Sequence, residues 1–168
     1  KNGQDGGFIE TSAADVKIDQ TTAVSTRSDS GKTGTWLIDP TDFSINSNNA
    51  SASSSGIRAN TLASSLAINN VILLTSTTGN QKGDINVNAD VTWGSANSLT
   101  LDAHNDININ ANITATNGKL NLIYGTSTAN YYANTSNYYL NNGAKVNLKA
   151  GQNFSTQKGA DTARKIDY

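Results

Sequence analysis

The stretch Asp84-Ile-Asn-Val-Asn-Ala-Asp-Val-Thr-Trp93 returns 22 residues later as Asp106-Ile-Asn-Ile-Asn-Ala-Asn-Ile-Thr-Ala115. Six of the ten positions are identical, and the differences include Ile for Val and Asn for Asp. In both copies apolar residues alternate with Asn or Thr, a pattern typical of strands with one buried face. A repeat of about 22 residues built from such strands predicts one coil of a β-solenoid.

Short alternating stretches continue on both sides of this repeat. They include Phe43-Ser44-Ile45, Leu99-Thr100-Leu101, Leu120-Asn121-Leu122 and Val146-Asn147-Leu148. Gly, Asn and Asp separate them at intervals too short for intervening helices. The sequence therefore predicts an all-β chain, a single solenoid segment over residues 1–168 with a coil period of about 22 residues. Residues 125–143 break this rhythm, which predicts an irregular loop or hairpin that projects from the coils.

Composition argues against several classes of protein. Charged residues make up 15% of the chain and the formal net charge is -1, unlike the basic surface of a nucleic-acid-binding protein. The longest aliphatic run, residues 71–74, is far shorter than the roughly 20 residues of a membrane-spanning helix. The chain has no Cys, which excludes disulfides, thiolate ligands and thiol nucleophiles. We expect no cofactor, no nucleic-acid partner and no membrane insertion.

Three blocks of the sequence resemble one family of bacterial proteins. They are Gly6-Gly7-Phe8-Ile9-Glu10-Thr11-Ser12, Gly31-Lys32-Thr33-Gly34-Thr35-Trp36-Leu37-Ile38-Asp39-Pro40 and Val146-Asn147-Leu148-Lys149-Ala150-Gly151-Gln152-Asn153-Phe154-Ser155-Thr156. In this order and spacing they resemble the exoproteins of two-partner secretion systems, of the filamentous-haemagglutinin-like and high-molecular-weight adhesin type. Together with shorter matching pieces, they extend the resemblance over nearly the whole chain.

The resemblance implies a right-handed parallel β-helix that is secreted and stays at the bacterial cell surface or is released from it. It implies export by an outer-membrane two-partner-secretion transporter, which recognises an N-terminal domain absent from this sequence. The chain begins Lys1-Asn2-Gly3-Gln4, without Met or an apolar signal segment, so we expect a longer precursor. Members of the family differ in function, between adhesion, capture of a host haem carrier and display of toxin domains.

Few residues are candidates for catalysis. His104 is the only histidine, and its polar surroundings, Asp102-Ala103-His104-Asn105-Asp106, favour a corner residue. The candidate acids are Asp84, Asp90, Asp102 and Asp106. Asp84 and Asp106 occupy equivalent repeat positions about 5 Å apart if stacked, near the carboxyl separation of a retaining glycosidase. Asp at a repeated turn is, however, ordinary corner chemistry. We therefore expect no catalytic residue, and with one His and no glycine-rich calcium repeat we expect no metal site.

Tyrosines and glycosylation triplets provide the candidate binding residues. Tyr131, Tyr132, Tyr138 and Tyr139 fall within the predicted insertion, where they form an exposed aromatic patch suited to glycan or protein contact, or else cover a coil face. The triplets Asn49-Ala50-Ser51 and Asn134-Thr135-Ser136 match the acceptor pattern for N-glycosylation in polar, loop-like segments. Asn49 and Asn134 are therefore the glycosylation candidates.

Three functions remain open from the sequence. The leading hypothesis is an adhesin, a stiff shaft with an adhesive surface that contacts a host-cell receptor, a glycan, neighbouring bacteria or a matrix. The second is specific ligand capture, of a host haem carrier or a glycan, with the tyrosine-bearing segment as the contact site. The third is a polysaccharide-active enzyme, which requires a groove with convergent acids. Coils of this kind can also associate with other copies into filaments.

Overall fold

The computed structural model describes residues 4–48, 55–78, 80–127 and 131–168, which are mostly β-structure. The strands, in chain order, are β1 (Phe8–Ser12), β2 (Thr35–Asp39), β3 (Phe43–Asn46), β4 (Gly56–Arg58), β5 (Asn70–Leu74), β6 (Ile85–Val87), β7 (Val91–Trp93), β8 (Ser98–Ala103), β9 (Ile107–Ile109), β10 (Ile113–Ala115), β11 (Lys119–Tyr124), β12 (Tyr138–Leu140), β13 (Val146–Leu148), β14 (Phe154–Lys158) and β15 (Ile166–Asp167). One α-helix, α1 (Ala59–Leu66), and two short 3-10 helices, Tyr131–Ala133 and Thr162–Arg164, complete the described elements.

The strands form three sheets, which the chain visits in turn. A seven-stranded sheet has the order β1-β2-β5-β8-β11-β14-β15, a five-stranded sheet β12-β9-β6-β3-β4, and a three-stranded sheet β13-β10-β7. From β6 onward the chain passes through the five-, three- and seven-stranded sheets three times in this order. Among the strands that the structure describes, every pair is parallel except β14 with β15, which is antiparallel. The predicted β-rich fold is therefore confirmed, with parallel sheets.

The predicted period of 22 residues holds for one step of the chain. Ile85 pairs with Ile107 and Val91 with Ile113, in the register of the sequence repeat, and the side chains of Asn86 and Asn108 are bonded 22 residues apart. Other steps are longer. The separation of neighbouring partners is 28 residues between Asn70 and Ser98, 31 between Asp106 and Asn137, and 34 between Asn121 and Ser155. A uniform period of 22 is therefore wrong for the whole chain, because loops of different length lie between the strands.

Alternation along the strands builds the core. In β6 and β9 the residues Ile85, Val87, Ile107 and Ile109 are completely buried, whereas the Asn between each pair points outward. Because neighbouring strands are paired in register, inward residues stack on inward residues of the next strand. The core is thus a set of apolar columns that run across the sheets.

The helix α1 was not expected in an all-β chain. Leu62 and Leu66, four residues apart, lie on its buried face together with Ala59, and the helix packs against β7. At β7 the helix occupies the edge of the three-stranded sheet and shields core residues there. Its short apolar face, among Ala, Ser and Thr, gives a weak periodic signal in the sequence.

The predicted insertion at 125–143 is only partly irregular. Tyr131–Ala133 is a 3-10 helix, but β12 (Tyr138–Leu140) pairs in parallel with β9, with Tyr138 opposite Ile107. The prediction that this whole segment lies outside the sheets is therefore wrong for residues 138–140. The residues Tyr138–Leu140 do not alternate with polar residues, and a stretch of three is too short a pattern to be recognised as a strand.

The apolar columns end at β12, which gives a matched pair of substitutions. Ile109 is fully buried, whereas Leu140, its partner on β12, is 48% exposed. We expect Ile109→Ala to lower the free energy of unfolding by about 2–5 kcal/mol, because it leaves a cavity. Leu140→Ala in the same column should cost about 1 kcal/mol or less. Urea unfolding of both variants checks this, and equal losses would contradict the layered core.

Candidate functional site

The four candidate tyrosines do not form one patch. Tyr138 points inward, half-buried, and its ring meets that of Tyr124 edge-on at 5.4 Å between centroids. Tyr139 points to the opposite face and is 42% exposed, and Tyr132, in the 3-10 helix, is 89% exposed. The side chain of Tyr131 lies outside the described part of the structure. The predicted binding role is therefore corrected for Tyr138, which is a packing residue because strand alternation turns it toward the core.

Tyr139 lies at the end of a polar column on the outer face of the five-stranded sheet. The register places Ser44 beside Asn86, Asn86 beside Asn108, and Asn108 beside Tyr139. The Asn108 amide nitrogen donates to the Asn86 amide oxygen at 3.0 Å. Amide groups next to an exposed aromatic ring can hydrogen-bond to hydroxyls while the ring stacks on an apolar surface, which is the chemistry that binds a sugar.

A polar cavity lies at the other end of the same face. Its volume is about 230 Å³, and it is lined by Asp15, Asp42, Ser44, Ser55, Gln81 and Asn86. The Gln81 side-chain oxygen accepts from the Asp42 backbone nitrogen at 3.0 Å, so the loop after β5 closes this end. Ser44 and Asn86 belong both to the cavity and to the polar column. The cavity and Tyr139 are therefore joined by a continuous line of polar side chains.

Of the two glycosylation candidates, the structure describes Asn134 and not Asn49. Asn134 is 5% exposed, and its amide nitrogen donates to the Gly125 carbonyl at 2.6 Å. Its amide oxygen accepts from the Ser136 backbone nitrogen at 3.0 Å. A glycan would be attached to this buried nitrogen, so the prediction for Asn134 is wrong for the folded chain, where Asn134 closes a loop over Gly125. Asn49 lies outside the described residues.

Asp84 and Asp106 form part of a structural column of carboxylates. Asp42 accepts hydrogen bonds from the Gly83 and Asp84 backbone nitrogens, and Asp84 accepts from the Asp106 backbone nitrogen at 3.1 Å. Asp106 in turn accepts from the Asn137 backbone nitrogen at 2.8 Å. Each carboxylate thus satisfies a backbone amide of the next layer, just before a strand begins. The sequence suggested this corner role as the alternative to a glycosidase pair.

His104 and the acids do not converge on a metal-binding arrangement. His104 lies in the turn between β8 and β9, where its backbone nitrogen donates to the Thr75 hydroxyl at 3.1 Å. In the described ranges, no three or more His, Cys, Asp or Glu side chains are placed to hold a metal ion. The structure therefore brings together no metal-ligand set from the candidates that it describes.

Asp102 is a partly buried ionisable group on the seven-stranded sheet. It points outward from β8, and its Oδ1 is buried without a hydrogen-bond partner. Burial, with a smaller contribution from the charge of Asp39, raises the pKa of Asp102 from 3.8 to about 6. Burial and the charge of Glu10 also raise the pKa of Asp39. The sequence places Asp102 beside His104, but it gives no sign of this burial, which depends on the strands at either side.

Asp102 should make stability depend on pH. Because its pKa is raised, the Asp102 carboxyl holds its proton more tightly in the folded chain than in the unfolded chain. The contribution of Asp102 to the free energy of unfolding therefore falls as the pH rises from about 4 to about 6. Asn cannot ionise. We therefore expect Asp102→Asn to raise the free energy of unfolding at pH 7.5 by about 1–3 kcal/mol, and by little below about pH 4.

Urea unfolding of the parent chain and the variant at the two pH values measures this effect. The exposed Asp29→Asn is the matched control, and it should change the free energy of unfolding by about 0.5 kcal/mol or less at both. An Asp102→Asn chain no more stable than the parent at pH 7.5 would show that the carboxylate is well solvated.

Comparison with protein-family models, with curated proteins and with solved structures finds no match for this chain. Within the described residues, no helix is long and apolar enough to cross a bilayer. Function must therefore be inferred from the arrangement of the strands and from the side chains on their outer faces.

Proposed function

We propose that this chain is a right-handed parallel β-helix from a secreted bacterial surface protein and that it acts as an adhesive shaft. The repeated passage of the chain through three parallel sheets, with partners 22 residues apart in the central step, supports the β-helix. The blocks of sequence that resemble two-partner-secretion exoproteins support the same fold. In this proposal the chain is exported by an outer-membrane transporter of that system and stays at the cell surface or is released.

A stack of in-register layers suits the role of a shaft. Hydrogen bonds between parallel strands run along the axis of stacking, so bending the shaft would stretch many of them together. Outward amides reinforce the stack, because the Asn110 side chain donates to Asn88 at 2.8 Å and the Asn141 side chain donates to Asn110 at 2.9 Å. A rod of this kind holds a binding surface away from the cell.

The polar column from Ser44 through Asn86 and Asn108 to Tyr139 is the observation that carries the adhesive role. It offers hydroxyl and amide groups in a straight line, with an exposed aromatic ring at its end. Neighbouring strands are about 4.8 Å apart, so the line from Asn86 to Tyr139 extends about 10 Å, near the length of two sugar rings. A glycan of a host cell or of a matrix is the partner that this chemistry favours.

Ligand capture is a second candidate, favoured by one observation. Tyr132 lies in a 3-10 helix between β11 and β12 and is almost fully exposed. Exposed aromatic side chains on loops are frequent anchors in protein–protein contacts. In this alternative the segment around Tyr132 binds one specific protein, such as a host haem carrier, rather than a range of glycans.

Binding of the purified chain to a glycan array and to cultured epithelial cells tests the adhesive role. We expect saturable binding that Tyr139→Ser weakens at least about tenfold, as expected for loss of an aromatic anchor. Tyr132→Ser should have little effect on glycan binding if the column is the site. Phe8→Ser, at an exposed aromatic of β1, is the control.

The outcomes separate the two candidates. Loss of binding in Tyr132→Ser but not in Tyr139→Ser would favour protein capture. Folded parent chain that binds neither the array nor cells would contradict an adhesive site in this segment.

A further inference from the structure

The outer face of the seven-stranded sheet differs from that of the other two sheets. The outward residues of the five- and three-stranded sheets include Asn86, Asn108, Thr92 and Thr114. On the seven-stranded sheet, four outward residues of β2, β5 and β11 are aliphatic and only partly buried. These residues are Leu37, Ile72, Leu74 and Ile123.

Strand β5 is therefore apolar on both faces over most of its length, and β2 adds one outward aliphatic residue, Leu37. In β5, Val71 and Leu73 fill the core while Ile72 and Leu74 point outward, which gives an unbroken apolar run of four residues. Such runs are typical of strands in sheets that are covered on both sides. In water, a strand that faces solvent normally alternates with polar residues, as β6 and β9 do.

The aliphatic residues form one surface with two carboxylates. Leu37 pairs with Ile72, and Asp102 lies between Leu74 and Ile123 in the register. Asp39 follows Ile38, whose partner is Leu73, so Asp39 lies beside Leu74. We call this surface the outer apolar face: Leu37, Asp39, Ile72, Leu74, Asp102 and Ile123.

The two carboxylates of the outer apolar face lie among aliphatic side chains. Neither Asp39 nor Asp102 forms an ion pair with the described part of the chain, whose described ion pairs include Arg164 with Asp161 and Lys165 with Asp167. The buried Oδ1 of Asp102 accepts no hydrogen bond there. A buried carboxylate oxygen without a donor is costly, and a cationic donor from outside the chain would offset that cost.

The chain's own C-terminal segment shows what kind of group can lie on this side of the sheet. Lys165 lines a cavity of about 220 Å³ over β8, β11 and β14, together with Ile123 and Thr100. Its amino group bonds to Asp167 at 2.8 Å and so leaves Asp102 without a cation. The cavity that this segment lines lies at one end of the outer apolar face. Its lining residues come from β8, β11, β14 and the segment itself, and include none from β2 or β5.

We propose that the outer apolar face binds a peptide segment of a partner protein in which Lys or Arg side chains alternate with patches of apolar residues. Charge complementarity selects this occupant, since the face presents carboxylates among aliphatic side chains. The same charges disfavour an anionic lipid surface and a nucleic acid. This inference is independent of the adhesive role proposed for the five-stranded sheet.

The spacing of the carboxylates suggests the geometry of the segment. Asp39 on β2 and Asp102 on β8 are separated by β5, so they lie about 10 Å apart at 4.8 Å per strand. On an α-helix, residues i and i+7 lie about 10.5 Å apart on one face, with i+3 and i+4 between them. A helix with Arg at i and i+7 and Leu at i+3 and i+4 therefore places its leucines over Leu74.

Binding should depend on pH. The charged group that acts on Asp102 is Asp39 on β2. On the neighbouring strands its partners are the uncharged Leu74 and Ile123, and Lys165 of the C-terminal segment lies by Ile123. With its pKa at about 6, Asp102 is ionised at pH 7.5 and largely neutral at pH 5. An arginine-bearing segment therefore binds more tightly at the higher pH.

The test uses the full chain and a labelled helical peptide with Arg at i and i+7, Leu at i+3 and i+4, and Ala or Gln elsewhere. A control peptide carries Glu in place of both arginines. We expect fluorescence anisotropy to show binding of the arginine peptide at pH 7.5, at least about tenfold weaker at pH 5 and at least about tenfold weaker for the glutamate peptide.

Variants of the chain locate the site. Asp39→Asn combined with Asp102→Asn should weaken binding at least about tenfold, and Leu37→Thr combined with Leu74→Thr about fivefold. The matched control combines Asp29→Asn with Thr92→Ala, a carboxylate and an outward strand residue elsewhere, and should bind like the parent. Because the Asp102→Asn chain is expected to be the more stable one, weaker binding by that variant would not reflect unfolding.

Three results would overturn the proposal. One is equal binding of the arginine and glutamate peptides, which would mark a purely apolar contact. Another is unchanged binding in the Asp39 and Asp102 variant. The last is a dimer in sedimentation velocity that the Leu37 and Leu74 variant abolishes, because the occupant of the face would then be a second copy of the chain.

Discussion

Parallel pairing between successive layers of strands is the constraint on which the rest of the structure depends. Once Ile85 is opposite Ile107 and Val91 opposite Ile113, every inward side chain rests on an inward side chain and every outward one on an outward one. A shift of one residue would turn all of these side chains to the wrong face. The apolar core, the Asn columns and the backbone-capping aspartates all follow from this one register.

The same register decides which side chains each outer face presents. On the five-stranded sheet it lines up amides and hydroxyls and ends at Tyr139, the surface for which we propose glycan binding. On the seven-stranded sheet it lines up aliphatic residues with Asp39 and Asp102, the surface for which we propose a cationic peptide partner. One repeated backbone thus presents two surfaces, and the residues at outward positions set the chemistry of each.

Much of the fold follows from the sequence, because strand alternation and the 22-residue repeat are local patterns. They identify β6, β7, β9 and β10, their inward residues and their neighbours. The helix α1, the strand β12 and the longer steps between layers were missed. The sequence patterns of α1 and β12 are too short to be recognised. The length of each step depends on which loops fit between neighbouring layers, which is a property of the assembled layers rather than of any one segment.

The site was harder to predict, since burial of a side chain depends on residues distant in sequence. Nothing local shows that Asn134 closes a loop over Gly125 or that Tyr138 packs on Tyr124. The outer apolar face did leave a signal, the unbroken apolar run at residues 71–74, which exceeds what one buried face requires. The burial of Asp102 becomes visible only when β5 and β11 are placed on either side of β8.

A disulfide placed across two layers tests the register most directly, because the chain has no cysteine of its own. Asn88→Cys combined with Asn110→Cys joins positions whose amides are bonded at 2.8 Å, 22 residues apart. Neighbouring parallel strands, about 4.8 Å apart, are within the Cα separation of a disulfide. We expect this pair to oxidise fully in the folded chain, while Asn86→Cys with Asn110→Cys, about 8 Å apart, stays reduced. Oxidation of the second pair in preference to the first would contradict the layered register.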